Sequence, residues 1–343
     1  MFEFNASALA AKGPARRSNP ALATARPECH RTKRYVVLPM VILVTAGMTW
    51  FAPAVHGTAA AAGPAPSGGS EFEGGGWKTV WRDNFNGPAG SGVNPSFWKY
   101  NTGQGAVFGT GEIETMTNST NNVHLDGHGN LDITALGHGQ SWTSGRIQTK
   151  SAGFAAPAGG EMQVTASIKQ PNPPNGLGYW PAFWMLGPGD WPSTGEVDIL
   201  EDVNALSQHS STFHCGNLTV TNPDGSLGPC HEFTGLSSGL LPCIRCQTGY
   251  HTYSAVIDRR QAGNEEIRWY LDGEQFFQVS QNQVDITTWT NAVDHGFSII
   301  FDLAIGGSYP DALCHCTSPN DHTTSGGTMS VQYVAVYQRG PRE

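Results

Sequence analysis

Three acids fall within six residues in the segment Gly195-Glu196-Val197-Asp198-Ile199-Leu200-Glu201-Asp202, with Val, Ile and Leu between them. Two carboxyl groups held near one another can divide a reaction. One attacks carbon as a nucleophile, and the other holds a proton for the leaving group. Acids alternating with hydrophobes predict a strand on which Glu196 and Asp198 share a face. Glu201 lies five residues beyond Glu196, so a regular strand would turn it into the core. Burying an unpaired carboxylate costs several kcal/mol. One extra residue, a β-bulge around Ile199-Leu200, restores all three acids to one face. The expectation is a row of three carboxylates on the floor of a groove. The same residues also fit a solvated strand face, or a calcium site built from the same oxygens.

The preceding run favours the groove. In Tyr179-Trp180-Pro181-Ala182-Phe183-Trp184-Met185-Leu186, strand periodicity puts Trp180, Ala182, Trp184 and Leu186 on one face. Indole planes beside paired acids make a wall on which the C–H face of a sugar ring packs. The reaction such a site suits is cleavage of a glycosidic bond. Its acid must keep a proton near neutral pH, and adjacent anions raise a carboxyl pKa. Asp198 and the charged nucleophile would do this for the acid.

The elements that must position these groups are strands. Asn130–Leu136, Glu161–Ile168, Glu266–Leu271 and Met329–Tyr337 alternate in period two. Asp272-Gly273, between Glu266–Leu271 and Glu274–Val279, is a two-residue hairpin signal. Tyr179–Leu186 and Phe297–Ile305 are apolar on both faces and predict central strands. No stretch sustains helical spacing over several turns. Charged residues are 14% of the chain, with 43 Gly and 22 Pro, a composition suited to short strands and tight turns. Two stacked antiparallel sheets, an all-β sandwich or jelly roll, are expected.

Residues 1–62 read as a signal peptide with an extended basic n-region. Seven Lys and Arg precede an apolar run from Tyr35 to Ala52, and small residues follow at Thr58–Ala62. An uncleaved membrane anchor is the competing reading, since the run is long enough to span a bilayer. Residues 63–76 are a Gly/Pro/Ser-rich linker, and residues 77–340 the catalytic domain. Removing residues 1–62 takes seven of 19 basic and two of 28 acidic residues, leaving 12 against 26, a net charge of −14. That balance excludes nucleic acid as a partner and suits a neutral polymer. After cleavage the protein is expected to be secreted, monomeric and free of membrane. Six cysteines remain (Cys215, Cys230, Cys243, Cys246, Cys314 and Cys316). They suggest loop-stapling disulfides whose pairing the sequence leaves open, with zinc at Cys243-x-x-Cys246 or Cys314-His315-Cys316 as the other reading.

The acid segment resembles glycoside hydrolase family 16 in its bulged, laminarinase-like branch, whose signature is E-x-D-x-x-E. The resemblance extends in order through Trp77–Phe85, Gly111-Glu112-Ile113-Glu114-Thr115, Ser144-Gly145-Arg146-Ile147, Trp180–Trp184, Ser211-Thr212-Phe213-His214, His251-Thr252-Tyr253, Trp269–Gly273, Leu303–Gly307 and Tyr333–Tyr337. It implies a jelly-roll sandwich of two antiparallel sheets with a concave substrate cleft, and retaining endo-hydrolysis of β-1,3-glucan. It also implies Glu196 as nucleophile, Glu201 as general acid/base and Asp198 between them. Trp180, Trp184, Arg146 and Glu112 would line the glycone side, with His214 near the acid/base. Mixed-linkage glucan hydrolysis, β-galactan hydrolysis, glycosyl transfer and a non-catalytic glucan-binding protein are the alternatives. No cofactor is expected. Where the family often carries an Asp associated with structural calcium, this chain has Gln332, a weaker ligand. The stretch Cys215–Cys246 is longer than in compact relatives and would shape the leaving-group side.

Overall fold

A computed structural model describes residues 75–341; the expected signal peptide at 1–62, Cys29 and most of the expected linker at 63–76 lie outside the described residues. The alternating runs form strands close to where their patterns place them: Glu161–Lys169, Glu266–Leu271, Glu274–Ser280 and Thr328–Arg339. The hairpin turn falls on Asp272 and Gly273, both at positive φ (50° and 84°). That is the backbone a two-residue turn needs to match strand twist.

Two eight-stranded antiparallel sheets result, with a four-stranded sheet beside them. One large sheet runs in the order Glu274–Ser280, Glu266–Leu271, His251–Asp258, Glu161–Lys169, Thr328–Arg339, Leu131–Thr134, Val123–Leu125, and Lys78–Asp83 pairs along Thr328–Arg339. The other runs Leu236–Ser237, Gln208–His214, Glu196–Glu201, Tyr179–Leu186, Ser298–Ile305, Arg146–Thr149, Trp98–Tyr100, with Leu241–Pro242 joined to Gln208–His214. The second sheet carries the acids at its centre. The acid strand lies between the strands just before and after it in sequence. Tyr179–Leu186, by contrast, pairs with the distant Ser298–Ile305 and that strand with Arg146–Thr149, so topology extends the row across the sheet.

One continuous core lies between the sheets. Phe183 stacks on Phe301 at 4.7 Å, and Trp98, Tyr179, Phe213, Tyr253 and Trp269 are fully buried with them. Each large aromatic removes roughly 150–250 Å² from water. Ala182, Trp184 and Ile300, with Leu186 against them, form a separate small cluster on the opposite face of the acid-bearing sheet. The Tyr179–Leu186 strand thus divides its odd and even residues between core and cleft face, as its period requires.

Two short helices, Ile286–Val293 and Ser308–Cys314, interrupt the strands. Each spans about two turns, too short for a helical period to show. The first does carry a start signal, since Asp285 caps the backbone N–H groups of Thr287 and Thr288. The six cysteines pair as Cys215–Cys230, Cys243–Cys246 and Cys314–Cys316. Both vicinal spacings are thus closed as disulfides in this structure, the loop-staple reading of these cysteines.

Candidate active site

The strand Glu196–Glu201 is bulged where the acids require it. Along Gln208–His214, Asp198 faces Thr212 but Glu201 faces Ser210, three residues against two. Along Tyr179–Leu186 the register slips between Phe183 and Trp184. The extra residue lies at Ile199-Leu200, and both of those side chains are buried in the core. Two carbonyls at the bulge are held by side chains: the Trp269 indole N–H donates to Asp198 O at 2.8 Å, and Ser211 Oγ donates to Ile199 O at 2.9 Å. Trp269 comes from the other sheet, so the core itself pins the distortion. Gly195 opens the strand at φ +75°, where a Cβ would meet Ala292 O at 2.3 Å. Only glycine fits that turn.

Cross-strand pairing shows which groups the bulge brings together. Glu201 is flanked by Ala182 and Ser210, Asp198 by Trp184 and Thr212, and Glu196 by Leu186 and His214. Ala182 in turn faces Asp302, and Asp302 faces Arg146. All three acids therefore lie on the face of the small apolar cluster, and Glu201 is not turned into the main core. Trp180 donates its indole N–H to Glu201 Oε1 at 2.9 Å, and Trp184 donates to Asp302 Oδ1 at 2.7 Å. The Arg146 guanidinium lies over the Trp184 ring (4.8 Å) and the Phe108 ring (4.3 Å). Glu112 is buried beside the Gly306 bridge. His214 Nε2 is 3.3 Å from Asp198 Oδ2 and 4.0 Å from Glu196 Oε1. The imidazole therefore stands at the Glu196 end of the row, because strand register pairs it with that residue, and its charge also reaches Glu201.

Burial, and next the charge of Asp198, push the Glu201 carboxyl up to about 8, against the Trp180 N–H that stabilises its anion. Burial and Asp198 also raise Glu196 well above the usual range, while His214 and Arg146 oppose the rise. Glu201 is thus a carboxyl that keeps its proton at neutral pH. Both carboxyls are raised, so their environments differ in the opposing groups: His214 and Arg146 act to ionise Glu196, the Trp180 N–H and His214 to ionise Glu201. Asp302, pushed up to about 6 chiefly by burial, was not singled out in the sequence. Its signal was a lone acid in an otherwise apolar run, Phe297–Ile305. Gln332 accepts a hydrogen bond from Ser167 Oγ at 2.7 Å.

Residues 163–229 match the family model described as XgeA-like, catalytic GH16 domain. The endo-1,3-beta-glucanase of Streptomyces sioyaensis, solved at 1.5 Å, is 40% identical; the match covers 82% of this chain and 100% of that one, with a TM-score of 0.71. The endo-beta-1,3-glucanase of Pyrococcus furiosus is 27% identical over 78% of this chain and 96% of its own, with a TM-score of 0.59. Glucan endo-1,3-beta-glucosidase A1 of Niallia circulans is 31% identical over 289 residues, 77% of this chain and 38% of that protein. The chain therefore spans well under half of that relative's length.

Proposed function

The chain belongs to glycoside hydrolase family 16, in its laminarinase-like branch, and from that premise we propose that it is a secreted, retaining endo-β-1,3-glucanase. The observation that carries the reading is the bulge at Ile199-Leu200, which sets Glu196, Asp198 and Glu201 on one face beside Trp180 and Trp184. Glu196 attacks the anomeric carbon while Glu201 gives its proton to the departing glycosidic oxygen, leaving a glycosyl ester on Glu196. Glu201, now ionised, takes a proton from water. The resulting oxygen nucleophile displaces Glu196 and releases the sugar with its original anomeric configuration.

Asp198 sits between the two acids in the row and works in both steps. Its charge holds the Glu201 proton in the first, and its contact with His214 fixes its place in the row through the second. Trp180 stabilises the Glu201 anion after proton transfer. Trp180, Trp184, Arg146 and Glu112 bind the glycone sugars. The substrate is β-1,3-glucan, a reading supported by the endo-1,3-β-glucanase activities of these relatives. The leader at residues 1–62 and the three disulfides support export to an oxidising compartment.

Reducing ends should appear from laminarin faster than from barley mixed-linkage glucan or a β-galactan, and proton NMR should detect the β-anomer first. A chain inert on every β-1,3-linked glucan contradicts the substrate, and an α-anomer formed first contradicts the double displacement.

A further inference from the structure

The carboxyl of Glu232 takes no part in the scheme above, yet it lies one imidazole away from the reacting groups. Its side chain is wholly buried, and both oxygens are engaged. Oε2 is 2.6 Å from His214 Nδ1, and Oε1 accepts the backbone N–H of Cys215 at 3.0 Å. A carboxylate buried this deeply needs a counter-charge. Among the described residues, its ion-pair partner is His214.

The other ring nitrogen of His214 faces Asp198 Oδ2 at 3.3 Å and Glu196 Oε1 at 4.0 Å. Acceptors at both nitrogens call for a proton on each, which makes the ring an imidazolium. Rotation away is blocked. The Trp191 ring packs at 5.7 Å, and Gly235, at φ +64°, passes so close that a Cβ there would sit 2.9 Å from Cε1. The Cys215–Cys230 disulfide ties the loop that brings in Glu232 to the strand end that carries His214. The pairing is therefore built into the long stapled loop and not left to a mobile side chain.

We propose that Glu232 is a positioning residue, a buried carboxylate that keeps His214 as a fixed cation against Asp198 and Glu196 and so favours the ionised nucleophile. The proposal rests on reading Glu196 as that nucleophile. Its electrostatics agree. Burial alone would lower the His214 pKa, but hydrogen bonds to Asp198 and Glu232 outweigh it and hold the ring well above its ordinary value. The ionisable groups facing the ring are Glu232 from the loop and Asp198 and Glu196 from the acid strand. Arg146 and Glu201 also act on Glu196.

Glu232→Gln tests this. The amide offers one acceptor to two donors, Cys215 N–H and His214 Nδ1–H, and carries no charge. Long-range proton–nitrogen NMR should find His214 doubly protonated up to pH 8 in the parent protein, and titrating between pH 5 and 8 in the variant. The acidic limb of kcat/KM on laminarin should move up by about one pH unit, the low end for losing a cation at this distance, with KM changed less than twofold. Glu232→Asp, which keeps the charge, should restore the limb at least in part. His214→Gln should move it as Glu232→Gln does, and supplies that comparison even where Glu232→Gln misfolds. An unmoved acidic limb with a uniform loss of rate, or a His214 that stays doubly protonated in Glu232→Gln, overturns the proposal. The NMR arm needs no substrate, so a parent protein inactive on laminarin would count against the catalytic reading while still deciding the Glu232–His214 pairing.

Discussion

Two clusters of buried carboxyls, one on each large sheet, differ in their surroundings. On the sheet opposite the acid strand, Glu161 has no exposed side-chain surface and is paired with three guanidinium groups, those of Arg260, Arg268 and Arg339. Its neighbour Asp258 is bound by Arg260 and Arg268, which outweigh burial and hold it below the usual carboxylate range. On the cleft face, Glu201 is also buried but receives an indole N–H, and its carboxyl rises to about 8. The residue type is the same, and both side chains are buried. The supply of cations decides whether an acid is a fixed ion that locks strands together or a proton held ready for transfer.

That contrast yields its largest test in Glu201→Gln. Turnover of laminarin should fall by at least about 10³-fold, while the thermal midpoint stays level or rises, since a buried ionisable group has been removed. A large loss of stability would place Glu201 with the structural acids. Glu161→Gln should do the opposite. Three guanidiniums lose a shared anion, costing about 2–3 kcal/mol after allowing for their partial exposure, and kcat/KM should stay within about twofold of the parent. Denaturant melts and initial rates on the same preparation separate the two outcomes.

Trp269→Phe lies between these extremes, because it removes the donor that pins the bulge. Leaving Asp198 O unpaired should cost roughly 1–2 kcal/mol, and kcat should drop several-fold as the acids lose alignment. A stability loss with unchanged kcat would mean the bulge holds without its indole.

The smallest effect concerns Glu114, whose carboxyl is pushed up to about 8 chiefly by burial, against the Ile305 N–H. The folded chain keeps this proton while the unfolded chain releases it above about 4.5. The native state therefore binds more protons between about 4.5 and 8, and stability falls as pH rises across that window. Glu114→Gln should narrow the gap between the melting temperatures at pH 5 and pH 8, by roughly 2–4 °C for each kcal/mol of this linkage. An unchanged gap would show that Glu114 is ionised in the native state.

The acid strand was legible because its spacing posed a conflict. An acid five residues from its partner must either be buried or be rescued by a bulge, and the structure has the bulge at the two residues named for it. The strands and the Asp272-Gly273 turn were legible because period and turn chemistry are local. Asp302 and Glu232 were not, because neither has a local pattern. Asp302 joins the row through pairing of Ser298–Ile305 with Tyr179–Leu186, and Glu232 arrives on a loop closed by Cys215–Cys230. Register also sets His214 opposite Glu196, a placement that no local pattern gives. The short helices were hidden by their length.

The division of labour between the two glutamates is tested most directly by azide rescue with a dinitrophenyl β-laminaribioside, whose leaving group needs no proton. Glu201→Ala should turn this substrate over and form the β-glycosyl azide, while Glu196→Ala should form only the α-azide. A Glu201→Ala protein as inactive on the activated substrate as on laminarin, or azide products of the reverse configuration, would contradict the assignment.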